Sequence, residues 1–280
     1  MKKITEPEKL QKWCEARRAA GAKIALVPTM GFLHAGHLSL IEEAKKQGAD
    51  EIVVSVFVNP AQFGPKEDFG KYPRDPKSDE AKCKKAGATV VFMPTSEAMY
   101  LKHHSVYVDE KELGKGLCGG RRPGHFRGVC TVLVKLFNLV QPHVAIFGQK
   151  DYQQSQIVCR MVRDLNFNVK IVVAPTVRDP DGLALSSRNT YLTPEARSNA
   201  LALYTALEQA KADVKAKKRL AWAPYRTQIV RALRAKSLNV DYVEIVEQET
   251  LKPAEVLEKG VVLLLAVYAS GTRLIDNVII

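Results

Sequence analysis

The sequence has little of what marks several protein classes. Its five cysteines (Cys14, Cys83, Cys118, Cys130 and Cys159) are scattered and odd in number, and no C-x-x-C pair occurs. This pattern argues against a zinc ribbon and a disulfide scaffold, and thiols left reduced suit a reducing compartment. The longest apolar run, VVLLLAV at 261–267, is far too short to cross a bilayer. The opening stretch MKKITEPEKLQKWCEARRA lacks the apolar region of a signal peptide. A cytoplasmic location with no membrane partner is therefore expected. No internal repeat or low-complexity tract is evident. Acids are sparse in one place: residues 211–236 hold nine basic side chains and a single acid, Asp213. Those bases (Lys211, Lys215, Lys217, Lys218, Arg219, Arg226, Arg231, Arg234 and Lys236) interleave with apolar residues at helical spacing, which reads as a solvated helix face.

What is present suffices for a large core. The chain has 280 residues, 46% hydrophobic and 26% charged, which fits a folded protein of one large or two ordinary domains. The formal net charge of +12 favours an anionic partner: nucleic acid, a membrane surface or a phosphorylated small molecule.

Hydrophobic periodicity supplies the architecture. Strands are predicted at 23–29, 51–58, 89–94, 143–148 and 169–175, with a further short one at 106–110. Helices are predicted at 37–49, 76–88, 127–141 and 151–166. This alternation predicts a parallel sheet covered by helices on both faces, a Rossmann-like, doubly wound α/β domain with its sites beyond the carboxyl ends of the strands. After about residue 176 the texture changes to helices at 194–218 and 224–236, then strands VDYVEIVEQ, VVLLLAVYA and TRLIDNVII, which predict a smaller α+β domain with an antiparallel sheet. Domains of 1–176 and 177–280 follow. Two long Gly- and Pro-containing loops, 59–75 and 115–125, stand out as functional or disordered.

The first strand-to-helix turn, PTMGFLHAGH, holds Gly31, His34, Gly36 and His37. Glycines let backbone approach a ligand, and a helix N-terminus presents N–H groups and positive potential to phosphate. Two imidazoles three residues apart share a face of the first turn and can stabilise charge that develops in phosphoryl or nucleotidyl transfer. Taken singly, the histidines also read as structural residues or as part of a metal site, although H-x-x-H alone lacks enough ligands, and Gly36 as a packing glycine.

His34-Ala35-Gly36-His37 resembles the H-x-G-H signature of the nucleotidylyltransferase superfamily, shared with class I aminoacyl-tRNA synthetases. The fuller stretch PTMGFLHAGH is similar to the pantoate–β-alanine ligase family. So, in order, are FVNPAQFGPKEDFGKYPRD (57–75), RPGHFRGVCTVLVKLFN (122–138), FGQKDYQQ (147–154), DGLALSSRNTYL (181–192) and TRLIDN (272–277). The resemblance implies a ligase that forms pantoyl adenylate and pyrophosphate from ATP and pantoate. β-Alanine then attacks to give pantothenate and AMP. It also implies Mg²⁺, a homodimer and a second domain acting as a lid.

Carried onto this sequence, the resemblance gives His37, His34, Lys150 and Arg188 the catalytic roles. Lys150 follows a predicted strand and opens a helix, where a point charge can reach phosphate; alone it would read as a surface lysine. Asp151 either contacts the ribose or caps the helix. Ser186, Ser187 and Arg188 would hold the β- and γ-phosphates as a mobile loop, and the same stretch also reads as a polar turn. Met30, Gly31, Gly148, Val177 and Leu185 complete the implied ATP site. Gln62 and Gln154 would bind pantoate, the first also β-alanine, with Asn59, Tyr72, Arg122 and His125 nearby and Met30 and Phe63 against the gem-dimethyl group. Asn59 also reads as a strand end, Arg122 as a charge that neutralises phosphate or as one more surface charge, and Met30 and Phe63 as core. Asp79 matches an acid near the metal and phosphates, while Ser78 stands where some members have a second Asp. Mg²⁺ binds largely through phosphates and water, so few carboxylates are required. None of the cysteines falls at a position the family uses chemically. Two other functions compete: nucleotidyl transfer to a phosphorylated acceptor, which would want more cations in the acceptor pocket, and RNA binding, for which no motif or stacking platform is present. No nucleic-acid partner is expected.

Overall fold

The alternation of buried strands and amphipathic helices builds one parallel sheet. The structure is a computed structural model that describes every residue except Lys66 and Lys218, and the side chain of Lys217. Two compact units are formed: Met1–Gly148 with Gln154–Pro175, and Gln149–Gln153 with Thr176–Ile280. Five residues that lie inside the first unit in sequence thus belong to the second.

The first unit runs β1 (Lys2–Ile4), α1 (Pro7–Ala19), β2 (Ile24–Thr29), α2 (Ala35–Lys46), β3 (Glu51–Val56), a 3₁₀ turn (Pro60–Gln62), α3 (Pro76–Ala86), β4 (Val90–Phe92), α4 (Ser96–Met99), α5 (Leu117–Arg121), α6 (His125–Val140) and β5 (Val144–Gly148). It closes with α7 (Tyr152–Asp164), whose first two residues belong to the second unit, and β6 (Lys170–Ala174). The six strands are parallel, in the order β1-β4-β3-β2-β5-β6. Strands β2 and β3 are near-continuous apolar runs, broken in β3 by buried Glu51 and Ser55, because both sheet faces are covered; Ala25, Val27, Val54, Val91 and Ile146 pack with Leu33, Leu40 and Ile41. The chain moves outward from β2 to β3 and β4 on one side and through β5 and β6 on the other. The order therefore reverses between β2 and β5, the switch point beyond whose carboxyl ends open α/β sheets bind ligands.

Three expectations change. Residues 106–110 form no strand: Val108 N–H donates to Thr131 Oγ1 at 3.0 Å and Val106 is exposed, so the segment has no ladder partner. The 115–125 loop contains α5. β1, α1 and α4, with the short strands Arg219–Ala221 and Val256–Glu258 of the second unit, add to the expected elements: three- and four-residue elements have no readable period, and α1 buries just Leu10 and Cys14.

The second unit contains α8 (Pro194–Lys217), β7 (Arg219–Ala221), α9 (Trp222–Arg234), β8 (Asn239–Glu247), β9 (Val256–Glu258), β10 (Val261–Ala269) and β11 (Thr272–Ile279). β11, β10 and β8 form an antiparallel sheet, and β7 pairs with β9 in a separate ribbon. Leu203, Leu207, Leu233, Ile245, Leu263 and Leu265 form its core. α9 buries Trp222, Tyr225, Ile229 and Leu233 and exposes Arg226, Arg231 and Arg234, the solvated basic face expected; Lys218 of that segment lies outside the described residues.

None of the five cysteines forms a disulfide. Burial pushes the Cys14, Cys83 and Cys130 thiols up to about 12, far from a reactive thiolate. Among the described residues no helix is long and apolar enough to cross a membrane.

Candidate active site

β2 hands the chain to a tight turn, Met30–His34, before α2 begins at Ala35. Gly31 sits at φ +84°, and a Cβ there would stand 2.8 Å from Val56 Cγ1 and 2.9 Å from Asp79 Oδ2, so only glycine lets the turn lie this close to α3. Asp79, buried on α3, holds the turn in shape: Oδ2 accepts from Phe32 N–H at 2.8 Å and Oδ1 from Leu33 N–H at 2.7 Å. Lys82 on the same helix donates to Leu33 O at 2.7 Å, and Thr29 Oγ1 accepts from Gly31 N–H at 3.1 Å. Hydrogen bonds to a charged group contribute about 1.5–3 kcal/mol each, so this one carboxylate largely decides the shape of the turn.

His34 stands just before the first residue of α2 and His37 lies in its first turn, with ring centroids 4.0 Å apart. His37 Nδ1 accepts from His34 backbone N–H at 3.3 Å. A nitrogen that accepts carries no proton, so the neutral ring has its hydrogen on Nε2, which becomes a donor. The donor therefore sits at the positive end of a helix, the environment that suits a phosphate oxygen.

A second cluster adjoins the turn. Asn59, fully buried, accepts at Oδ1 from Tyr100 Oη at 2.7 Å and Ala61 N–H at 3.2 Å; its Nδ2 donates to Gln62 Oε1 at 3.0 Å and Gly128 O at 3.1 Å. Gln62 Nε2 reaches Met30 Sδ at 3.3 Å and so joins the two clusters. Behind Gln62, His125 Nδ1 lies 2.9 Å from Gln62 O, and His125 Nε2 lies 2.9 Å from Arg122 Nη1. A carbonyl can only accept, so His125 carries its proton on Nδ1 and accepts from Arg122 at Nε2. Arg122 forks onto Glu67, Nε to Oε1 and Nη2 to Oε2, both at 2.7 Å. Burial opposes the Glu67 charge, but the Arg122 fork outweighs it and holds the carboxyl below the usual carboxylate range. Arg122 and His125, expected beside pantoate or β-alanine, thus stand in a chain that supports the main chain of Gln62. Tyr72, expected there too, is buried with its ring edge-on to Phe63 at 6.0 Å, and Phe63 meets Phe69 at 5.4 Å, an aromatic knot that folds the 59–75 loop on itself.

Gly128 of α6 lies directly against this turn. A Cβ there would come within 2.2 Å of Ala61 O and 2.5 Å of Gln62 N, both main-chain atoms that cannot swing away. Gly128→Ala is therefore expected to cost about 1–3 kcal/mol of stability by overpacking. Urea unfolding checks this; an unchanged midpoint would show that the turn retreats freely.

In the second unit, Lys150 and Asp151 lie in a 3₁₀ turn, Gln149–Asp151, directly after Gly148, with Lys150 Nζ 3.9 Å from Asp151 Oδ2. Val177 and Leu185 are joined by a Leu185 N–H to Val177 O bond at 3.0 Å, closing a hairpin in which Arg178 bridges Ala184. That hairpin runs into a 3₁₀ turn, Ser187–Tyr191, where Ser186 Oγ accepts from Arg188 N–H at 3.3 Å. Val177, Leu185, Ser186, Ser187 and Arg188 are so brought onto one structure. Gln154 lies in the first turn of α7, in the first unit.

Sequence reasoning missed Glu67 and Tyr100, and it gave no role to Asp276 and Asn277 although both lie in the family-like stretch TRLIDN. Glu67 had a faint signal as an acid in a Gly-, Pro- and Phe-rich loop; Tyr100 had none. Asp79, expected at a metal, has both oxygens on main-chain N–H groups. Among the described residues no group of three or more His, Cys, Asp or Glu side chains converges to hold a metal ion.

A family model described as pantoate–β-alanine ligase matches residues 2–279. The chain is 48% identical over 280 residues to the pantothenate synthetase of Thermotoga petrophila, covering 100% of both, and 50% identical over 271 residues to that of Moorella thermoacetica, covering 97% of this chain and 95% of the relative. It superposes on the crystal structure of pantothenate synthetase from Thermus thermophilus with a TM-score of 0.92 at 44% identity, covering 99% of each chain. The pantoate–β-alanine ligase of Francisella tularensis, crystallised with beta-gamma ATP and β-alanine, matches at a TM-score of 0.84 and 31% identity, covering 100% of this chain and 97% of that one. With the H-x-G-H turn, the Asn59–Gln62 cluster and the Ser186–Arg188 hairpin all in place over this full length, the chain belongs to the pantoate–β-alanine ligase family.

Proposed function

We propose that the chain condenses pantoate with β-alanine through pantoyl adenylate. The pantoate carboxylate attacks the α-phosphorus of ATP and expels pyrophosphate. The neutral amine of β-alanine then attacks the acyl carbon, expels AMP, and loses a proton as the amide forms. The observation that carries this reading is the geometry of the H-x-G-H turn: His37 lies in the first turn of a helix and its Nδ1 accepts from the His34 N–H, which assigns the proton of the neutral ring to Nε2. His34 lies beside it. Lys150, Ser186, Ser187 and Arg188 are the second unit's phosphate-binding groups, with Asp151, Val177 and Leu185 serving the nucleoside. Met30, Gly31 and Gly148 provide close backbone and apolar wall.

Gln62 and Gln154 bind pantoate's hydroxyls and carboxylate, with Asn59 orienting Gln62. Gln62→Ala is expected to raise the pantoate KM at least about fivefold, the loss of one hydrogen bond worth about 1 kcal/mol. An unchanged KM would remove that contact. Mg²⁺ accompanies the phosphates of ATP, and no step here depends on a protein ligand to it. The resemblance to the family carries a homodimer, and the reduced cysteines support a cytoplasmic location.

The test is pyrophosphate release from ATP and Mg²⁺ with pantoate, with and without β-alanine. Pantoate-dependent release should become multiple-turnover, with stoichiometric AMP, when β-alanine is added. ATP binding without pantoate-dependent release would overturn the substrate assignment in favour of another nucleotidyl transfer.

A further inference from the structure

β11 breaks its own pattern. Its residues alternate between buried and half-buried through Ile275, and then Asp276 and Asn277 are both buried, each 3% exposed. Successive strand residues face opposite sides of a sheet, so two polar side chains are buried in opposite directions at neighbouring positions. Such burial is unfavourable unless every polar atom is engaged, and apolar residues of similar size would pack there without that cost.

Both side chains are engaged. Asn277 Nδ2 donates to Gln149 O at 3.0 Å and to Lys150 O at 2.8 Å, while its Oδ1 accepts from Gln149 Nε2 at 3.3 Å. The two carbonyls settle which way the amide points. Asp276 takes the Arg178 fork, Nη1 to Oδ2 at 2.6 Å and Nη2 to Oδ1 at 2.9 Å, and its Oδ1 also accepts from Asn277 N–H at 2.8 Å. Arg178 Nη1 donates onward to Gly182 O at 3.1 Å, inside the hairpin that leads to Ser186–Arg188. Burial opposes the Arg178 charge, and its bond to Asp276 more than restores it. One dipeptide on one strand therefore grips the main chain under Lys150 and the base of the 178–185 hairpin.

We propose that Asp276 and Asn277 are positioning residues for ATP: they fix the spacing between Lys150 and the Ser186–Arg188 turn that the phosphates require. This rests on the phosphate-binding roles given above to Lys150, Ser186, Ser187 and Arg188. Neither residue touches substrate. Asn277 acts through the Lys150 backbone and Asp276 through Arg178. Displacing a charged group by about 1 Å costs a reaction about 10²-fold, so loss of either grip should appear in catalysis.

The test separates the two half-reactions. In Asn277→Ala, kcat for pantoate-dependent pyrophosphate release should fall about 10- to 100-fold with little change in the pantoate KM. Amide formation from added pantoyl adenylate and β-alanine should stay near wild type, because the β- and γ-phosphates are gone. A merely structural role would lower both half-reactions together. Lys150→Ala combined with Asn277→Ala should be no worse than Lys150→Ala alone, since the two act through one group. Should Asn277→Ala fail to fold, Asn277→Gln keeps the amide but misplaces it and should show the same split. Asp276→Asn is expected to weaken the same half-reaction through Arg178. If Lys150→Ala is severely impaired while Asn277→Ala and Asp276→Asn release pyrophosphate normally, this proposal is wrong and the phosphate-site reading stands. If Lys150→Ala is itself unaffected, the phosphate-site reading fails first.

Discussion

Replacing His37 by alanine is expected to lower kcat for pantoate-dependent pyrophosphate release by about 10²–10³-fold, about 3–4 kcal/mol of transition-state stabilisation. As pyrophosphate departs, negative charge builds on the oxygens around the α-phosphorus. A donor aimed there contributes more to the transition state than to bound ATP, so kcat falls rather than KM alone rising. His37 can play this part because His34 N–H occupies its Nδ1 and leaves the proton on Nε2. Stability should change little. The alanine removes one acceptor from a helix-terminal N–H, at a cost of about 1 kcal/mol. His37→Asn is a useful companion, since its amide can still donate but does not reach as far. The measurement is single-turnover pyrophosphate release beside a thermal melt. A fall of less than tenfold on a folded protein would take His37 out of the reaction.

Asp79→Asn should act by a different route. The buried carboxylate accepts two backbone N–H bonds, from Phe32 and Leu33, one on each oxygen. An amide has one accepting oxygen, so its NH₂ must face the other N–H, leaving two donors opposed in a buried site. The expected destabilisation is about 2–4 kcal/mol: a charge-assisted bond lost and a buried donor left unsatisfied. The turn that carries His34 and His37 would loosen, and adenylate formation would fall with it. The same variant separates the turn-holding role from a metal-binding one. A turn-holding Asp79 predicts a lower Tm in EDTA, before any Mg²⁺ is added. An unchanged Tm in EDTA, with activity restored by excess Mg²⁺, would return Asp79 to the metal.

Much of the first unit was legible because parallel strands covered on both faces must be continuous apolar runs. KIALVPT and EIVVSVFV could hardly be anything else, and the turn between β2 and α2 announced itself by glycines and histidines at fixed spacing. Residues 106–110 misled for the same reason. VYVDE has the composition of a strand, but its Val108 N–H goes to Thr131 on α6 and no neighbouring strand pairs with it. β propensity describes what a segment tolerates, whereas a strand needs a partner. The Arg122–His125 pair was legible as chemistry but not as geometry. A sequence shows an arginine three residues before a histidine; it does not show that Glu67 closes onto that arginine from another loop.

By itself, then, the sequence determined the alternation of the longer strands and helices in the first unit, the antiparallel α+β character of the C-terminal part, and the H-x-G-H turn at a helix start. Each depends on residues within a few positions of one another, where periodicity and backbone chemistry act directly. The tertiary structure decided what holds those parts in place. Asp79 clamps a turn 46 and 47 residues earlier, Glu67 reaches Arg122 across 55 residues, and Asn277 grips the Lys150 carbonyl across 127. Such pairs are set by which strands neighbour each other and which loops the sheet brings together. No local pattern encodes that, because a buried carboxylate or amide looks the same in sequence whether its partner is a metal, a substrate or the protein's own backbone.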